Sequence, residues 1–258
     1  MLFRSKDAKP ITNKWVLTKK YNKAGELVKY KAHLVTKGYS QRPGQDYNEM
    51  FSLVVRLEMI HAILALVPKH NLIIHQMDVK GACLNSILQE QVYMNQPYGY
   101  EDGTDCICLL NKSIYGLKQA GQEWNKELDC QLRKLGFKAL LSDPCIYIRH
   151  KGNAIQIITI WVDNMLLFAT DHKRMQDLKD DLQSILDLTN IGEPSKIIGI
   201  EITCEYNSIT ISQKQYIKSI LRQEAMEKLH VVKTLLDPNM VLIKNPDGII
   251  GDCHNDFT

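Results

Sequence analysis

The chain lacks what a membrane span would require. No apolar run approaches the ~18–20 residues that cross a bilayer, and the longest, Ile155 to Thr170, is broken by Asp163 and Asn164. The opening MLFRSKDAKP has no apolar core of the kind a secretory signal carries. Internal repeats and low-complexity tracts are missing, and 14 Gly with 8 Pro in 258 residues exclude collagen-like and disordered scaffolds. Seven cysteines (83, 106, 108, 130, 145, 204 and 253) make an odd number whose spacing fits neither a disulfide framework nor paired zinc knuckles. They read as reduced thiols, mostly buried as small hydrophobes. These absences predict a soluble, intracellular protein with no membrane partner, cytoplasmic by default.

What is present is ordinary globular composition, 45% hydrophobic and 24% charged, long enough for one large domain or two smaller ones. The net charge of +3 is unevenly spread: residues 1–45 hold eleven Lys/Arg against Asp7 and Glu26, and the remaining 213 carry a balance of −6. Such asymmetry points either to a polyanion partner for the N-terminal lobe or to a solvated lysine-rich hairpin.

Lys14 to Tyr21 and Leu27 to Val35 are β-rich runs around a glycine-containing turn, which predicts a hairpin. Arg56 to Val67 has helical spacing and meets Pro68, which predicts a stop there. Leu72 to Val79 reads as a strand carrying Asp78 at its end, Gly81 to Leu88 as the start of a short helix, and Cys106 to Leu110 as a strand. Trp124, Leu128, Leu132 and Leu135 line one helix face closed by Gly136. Ile155 to Trp161 and Met165 to Ala169 are apolar strands around a tight turn, Val162-Asp163-Asn164. Met175, Leu178, Leu182 and Ile185 mark the next helix. Lys196 to Cys204 and Ser208 to Ser212 pair as a hairpin around Tyr206-Asn207, and Ile217, Ile220 and Leu221 open a last helix. The tail beyond Pro238 reads as loosely ordered. Strands and helices mix without strict alternation, which predicts an α+β fold.

Two carboxylates stand out. Asp78 ends a buried-looking strand, and Asp163 sits at the tip of an apolar hairpin. A carboxylate among Val, Ile, Trp and Met is costly to bury unless a positive charge neutralises it. Oxygen ligands suit Mg²⁺, and two such ions about 4 Å apart activate a hydroxyl and stabilise a leaving phosphate. Asp is equally at home as a turn or cap residue, and spacing alone leaves both readings open.

Three stretches, in order, carry a resemblance: Gln76-Met77-Asp78-Val79-Lys80, Ser113-Ile114-Tyr115-Gly116-Leu117-Lys118-Gln119 and Trp161-Val162-Asp163-Asn164. With Tyr30 to Gly38, Val92 to Pro97, Leu135-Gly136-Phe137, Gly199 to Ile202 and Leu236 to Asn239, the chain from Lys14 to Pro246 resembles the reverse transcriptase of copia-type long-terminal-repeat retrotransposons. The resemblance implies a right-hand polymerase fold of fingers, palm and partial thumb, its antiparallel palm sheet packed on helices. It implies fingers over residues 1–70 and 91–121, palm over 71–90 and 122–205, and a partial thumb or connection over 206–258.

The implied reaction is RNA-directed DNA synthesis: attack of a primer 3′-hydroxyl on a deoxynucleoside triphosphate, served by two Mg²⁺ ions, or Mn²⁺ in their place. The implied partners are an RNA or DNA template with its primer and the triphosphates. By resemblance Asp78, Asp163 and the Val79 carbonyl hold metal, with Asn164 at a substituted catalytic position. Lys31 and Lys37 meet phosphates or are solvated surface lysines. Gln119 lies beneath the nucleotide and template pair, or is simply a polar residue opening the Trp124 helix. Gly116 gives the backbone room to approach substrate, or is a turn glycine. The Gly199 to Ile211 hairpin supports the primer end or packs a domain junction.

The chain departs from the resembled pattern at four places. Asn164 stands where a second aspartate is usual, keeping an oxygen but losing a charge. Cys83 replaces an aromatic that crowds the sugar 2′ position, or is a smaller core residue. Ala120-Gly121-Gln122 replaces a Ser/Ala-Pro-Arg run, and His33 stands where arginine would offer a fixed cationic fork. Together with the limits of the matched region, these predict a fragment of a degenerate element's polyprotein, impaired as a polymerase. The alternatives are a catalytically inactive nucleic-acid-binding remnant and a relic without function.

Overall fold

Strands that are apolar at nearly every position need cover on both faces, and the two around Asp163 receive it. A computed structural model of the chain describes residues 2–3, 9–21, 25–50, 52–152, 154–205 and 208–227. The chain divides after Ser212 into two units. The first contains, in order, β1 (Leu2–Phe3), β2 (Asn13–Tyr21), β3 (Leu27–Thr36), α1 (Leu57–His70), β4 (Ile73–Val79), β5 (Ile87–Met94), β6 (Ile107–Lys112), α2 (Ala120–Lys134), β7 (Lys138–Ala139), β8 (Ile146–Lys151), β9 (Ala154–Trp161), β10 (Asn164–Ala169), α3 (His172–Gln183), β11 (Leu188–Gly192), β12 (Lys196–Ile197), β13 (Ile200–Glu205) and β14 (Ser208–Ser212). The second contains α4 (Lys214–Gln223), whose Ile217, Ile220 and Leu221 are all exposed.

The centre of the first unit is a six-stranded sheet in the order β11-β4-β10-β9-β8-β7, antiparallel throughout. One face, with Met77, Ile158, Ile160, Met165 and Leu167, packs on Trp124, Leu128 and Leu132 of α2 and on Met175, Leu178 and Leu182 of α3. The other, with Ile74, Ile146, Ile157, Leu166 and Phe168, meets Ile60, Ile63, Leu64 and Val67 of α1 and Ile197 and Ile202 of a small β12-β13-β14 sheet. The expected α+β class with an antiparallel sheet packed on helices is what the structure contains. β2 and β3 form a separate hairpin, and β1, β6 and β5 a third sheet.

Several local expectations change. α1 runs through Pro68 to His70, because a proline in the last turn forfeits a bond only near an end that Asn71 closes in the left-handed conformation. Gly81 to Leu88 yields a single 3-10 turn, Ala82–Asn85, before β5 begins. Lys196 to Cys204 is two strands, broken where Ile198 and Gly199 take positive φ. Only Cys83 and Cys145 of the six described cysteines are buried, all six free. The residues Tyr206-Asn207, the tail beyond Pro238 and the Leu236 to Asn239 stretch lie outside the described residues. No helix among the described residues is long and apolar enough to cross a membrane.

Candidate active site

β9 and β10 are joined by two residues, Val162 and Asp163, with Asn164 already paired to Trp161 as the first residue of β10. Val162 has φ 57. A two-residue hairpin turn needs positive φ at its first central position, where glycine is at ease and a β-branched residue is strained by ~1–3 kcal/mol. The surroundings hold it there. The Trp124 indole Nε1 donates to the Val162 carbonyl at 2.7 Å, and the Val79 N–H donates to the Asp163 carbonyl at 2.7 Å. Both ends of the turn are thus fixed, one from helix α2 and one from strand β4.

This register sets Asn164 directly opposite Asp78. With a side-chain period of two, Asp78 shares a sheet face with Gln76 and Ile74. Burial and the nearby Asp163 charge push the Asp78 carboxyl above its usual range, while Lys31 and Lys20 pull it back down. Asn164 is drawn into this pair as a donor: its Nδ2 reaches Asp163 Oδ1 at 3.2 Å, and its own Oδ1 accepts from Gln76 Nε2 at 3.0 Å. The oxygen that asparagine retains in place of a carboxylate is therefore engaged by Gln76.

Two neighbouring carboxylates whose mutual repulsion the lysines offset only in part suit a hard divalent cation, and Mg²⁺ is commonly held by one or two carboxylates plus substrate phosphates and water. Among the described residues no group of three or more His, Cys, Asp or Glu side chains could form a metal cage. The donor set fits an ion shared with a phosphate ligand and does not fit a self-sufficient protein cage.

The basic hairpin presents charge to this site. Its register pairs Thr18 with Lys31, Lys20 with Lys29 and Val16 with His33, so one face carries Lys20, Lys29, Lys31 and His33. Lys31 and Lys20 act on Asp78, and burial, joined by the same two lysines, lowers the His33 pKa and favours its neutral form. Lys20 was not among the residues expected from sequence; only the strand register shows it diagonal to Lys31. Lys37 follows β3, its N–H bonded to the Thr12 carbonyl at 2.8 Å.

The remaining expected residues fall into a supporting layer. Cys83 is buried with Ile11, Leu117 and Ala120, its thiol pushed up to about 11 by burial and by Asp163. Gln119 is 1% exposed, donating to the Asp46 carbonyl at 2.8 Å and accepting from Gln41 Nε2 at 2.9 Å; Gln41 Oε1 in turn accepts the Lys118 N–H at 2.7 Å. It clamps the loop at 41–47 to the start of α2. At Gly116, φ 94, a Cβ would run into the Thr36 carbonyl, so the close approach there is to β3. In the Ala120-Gly121-Gln122 run, Gln122 Nε2 donates to Glu49 at 2.6 Å, and a Cβ on Gly121 would meet Ser52.

Tyr115 also comes to the site, which spacing did not single out. Its ring meets His33 edge-on, centroids 5.6 Å apart, and its hydroxyl is held strongly protonated, up to about 12, by burial and by Cys83, Asp163 and Asp78.

Comparison with known proteins bears on this arrangement. Residues 2–237 match the family model described as reverse transcriptase (RNA-dependent DNA polymerase). The chain is 37% identical over 244 residues to the retrovirus-related Pol polyprotein from transposon TNT 1-94 of Nicotiana tabacum, covering 93% of this chain and 18% of that polyprotein. It is 35% identical over 228 residues to the corresponding polyprotein from transposon RE1 of Arabidopsis thaliana, covering 88% and 16%. The chain thus spans under a fifth of the length of these relatives. A solved structure of apo telomerase from Candida Tropicalis, truncated from its C-terminal domain, matches at a TM-score of 0.42 and 10% identity over 82% of this chain and 57% of that one, a likeness too slight to carry weight.

Proposed function

Since the chain belongs to the reverse transcriptase (RNA-dependent DNA polymerase) family, with relatives among retrotransposon Pol polyproteins, we propose that it is a polymerase module that extends a primer on an RNA or DNA template. The observation that carries this reading is the meeting of Asp78 and Asp163 at one end of a doubly covered sheet, facing the Lys20 and Lys31 side of the basic hairpin. The six-stranded sheet with α2 and α3 is then the palm, and the β2-β3 hairpin belongs to the fingers. We assign α1 to the palm as well, since it covers the second sheet face; the first fingers segment then ends before Leu57 instead of at residue 70.

In this mechanism Asp78 and Asp163 would hold divalent metal, with the Val79 carbonyl a further candidate ligand. Bound there, Mg²⁺ or Mn²⁺ would supply activation of the primer 3′-hydroxyl and neutralisation of charge on the transferred phosphate. The chain's own contribution is placement. Trp124 and the Val79 N–H fix the turn bearing Asp163, so the carboxylates are set before substrate arrives. Lys20 and Lys31 draw in and neutralise the triphosphate, and the lysine-rich hairpin gives salt-dependent, sequence-tolerant contact with the nucleic-acid backbone.

Asn164 lowers the rate in this reading. It adds no charge, its oxygen is engaged by Gln76, and its amide competes for Asp163 Oδ1. Those same contacts favour the second reading, a module that binds primer–template without extending it. Primer extension on poly(rA)/oligo(dT) decides between them, comparing this chain, Asn164→Asp and Asp78→Ala. Slow extension by the chain that is abolished by Asp78→Ala supports the polymerase reading. No extension by either this chain or Asn164→Asp, with salt-dependent binding intact, leaves the binding module.

A further inference from the structure

We propose that Gln76 is a positioning residue that lets Asn164 turn its amide over, so that the Asn164 oxygen faces Asp163 when a divalent cation is bound. The inference rests on the polymerase reading above and adds to it a control on the metal site.

Asn164 Nδ2 reaches Asp163 Oδ1 at 3.2 Å, while Asn164 Oδ1 accepts from Gln76 Nε2 at 3.0 Å. This orientation suits a carboxylate by itself. A donor beside Asp163 is attracted, and an amide oxygen there would be repelled. A divalent cation reverses the preference, because it takes oxygen ligands and repels an NH₂ group. The cation thus supplies the difference in affinity that a shift between two orientations requires.

An asparagine turning alone would forfeit its second hydrogen bond. Gln76 removes that cost. Both side chains end in a primary amide that carries donor and acceptor together. When both turn over, the bond re-forms with its roles exchanged, Asn164 Nδ2 donating to Gln76 Oε1. The terminal torsions of Asn and Gln are broad and roughly two-fold, and no other hydrogen bond ties either amide among the described residues. The backbone has no need to move: Asn164 stays opposite Asp78, and Gln76 opposite Leu166, on one face of the sheet. The two side chains line a cavity of about 320 Å³ with Thr159, Trp161 and Ile198, which gives the amides room. A carboxylate at position 164 needs no such turn, so the arrangement is specific to asparagine.

The test is Mn²⁺ affinity, read from water-proton relaxation. It uses the full chain with dTTP and a primer–template whose primer ends in a dideoxynucleotide, and Asp78→Ala as the blank. Asn164→Ala is expected to weaken Mn²⁺ binding by ~10-fold, because it removes an oxygen ligand. Were the amide fixed as a donor to Asp163, the same variant would leave binding unchanged or tighten it. Asn164→Leu, of nearly the same size as asparagine and without its polar atoms, should match alanine and serves if alanine loosens the turn. Gln76→Glu only accepts when ionised, so it should hold the Asn164 NH₂, preset the oxygen and tighten Mn²⁺ binding. Its added charge acts in the Asn164→Ala background too. The orientation effect is the excess over that background, expected at ~3-fold or more, the scale of one neutral hydrogen bond. Binding by Asn164→Asp but not by this chain, binding unchanged or tighter in the Ala and Leu variants, or no excess from Gln76→Glu overturns the inference and leaves the polymerase reading standing. Relaxation no different from the blank in both this chain and Asn164→Asp overturns the polymerase reading, and this inference with it.

Discussion

Gln76 holds the Asn164 amide by its oxygen, Nε2 to Oδ1 at 3.0 Å, which leaves the Asn164 NH₂ directed at Asp163. Asn164→Asp would keep the bond from Gln76, since a carboxylate accepts it equally well, and would release Asp163 Oδ1 from its donor. Changes around metal ligands commonly move affinity or activity ~10–100-fold. We therefore expect Asn164→Asp to extend primers at least ~10-fold faster than this chain, measured in single turnover at saturating triphosphate.

The Asp78 carboxyl gives a pH dependence of defined sign. Its pKa is raised in the folded chain, so the native state binds its proton more tightly than the unfolded chain does. Stability from this group is fully present below the usual carboxylate value near 3.8 and is lost as pH rises through the higher folded value. Without metal, Asp78→Asn should raise the melting temperature at pH 7 by a few degrees, and the difference should vanish in acid near pH 3.8. Added magnesium should raise the melting temperature of the unaltered chain and leave that of Asp78→Asn unmoved. Differential scanning calorimetry reads all three.

Trp124→Phe removes the donor to the Val162 carbonyl while keeping an aromatic ring in the core. The acceptor left unpaired is only part-buried, so the loss should cost about 1 kcal/mol, the low end of the range for a buried group, to which the smaller ring adds a packing loss. Urea unfolding should show a drop of that size. Extension by the variant should fall through kcat with little change in primer affinity, because the turn that carries Asp163 is what loosens.

Lys20→Ala and Lys31→Ala should each raise KM for dTTP by ~10-fold, in line with the ~1.5–3 kcal/mol of a hydrogen bond to a charged group, with kcat much less affected. Lys29→Ala, on the same hairpin face, should act mainly on primer–template binding and lower its salt slope by about 1. Steady-state kinetics at two ionic strengths separates the two effects.

Gln119 is closed off among Gln41 and Asp46. Gln119→Ala would leave the Gln41 amide and the Asp46 carbonyl without their partner, and should cost ~2 kcal/mol of stability. If Gln119 acted on the nucleotide directly, the same variant would change triphosphate affinity at unchanged stability, so thermal unfolding and dTTP titration together decide.

The sequence displayed the site's skeleton better than its working surface. β9 and β10 were legible because burial on two faces leaves unbroken apolar runs, and α2 because its leucines repeat at helical spacing. β8, which ends Arg149-His150-Lys151, and β11, Leu188–Gly192, escaped notice: they lie towards the sheet margins, where polar residues interrupt the pattern. The Asp78 and Asp163 pairing followed from the family's motif order, not from any periodicity. Lys20 and Tyr115 were hidden for a different reason. Their relation to Asp78 depends on strand register and on contacts between segments far apart in sequence. Gln41 and Gln119 likewise meet across 78 positions, a match that no local pattern announces.

Val162 sits in a conformation that its own side chain resists, and it stays there because its carbonyl and that of Asp163 are each tethered to a different element. A turn of this kind has no slack. It behaves as an anvil: the ligand and the surrounding walls must do the yielding. The Asp163 carboxylate is therefore carried on a mount fixed from two sides, helix α2 and strand β4.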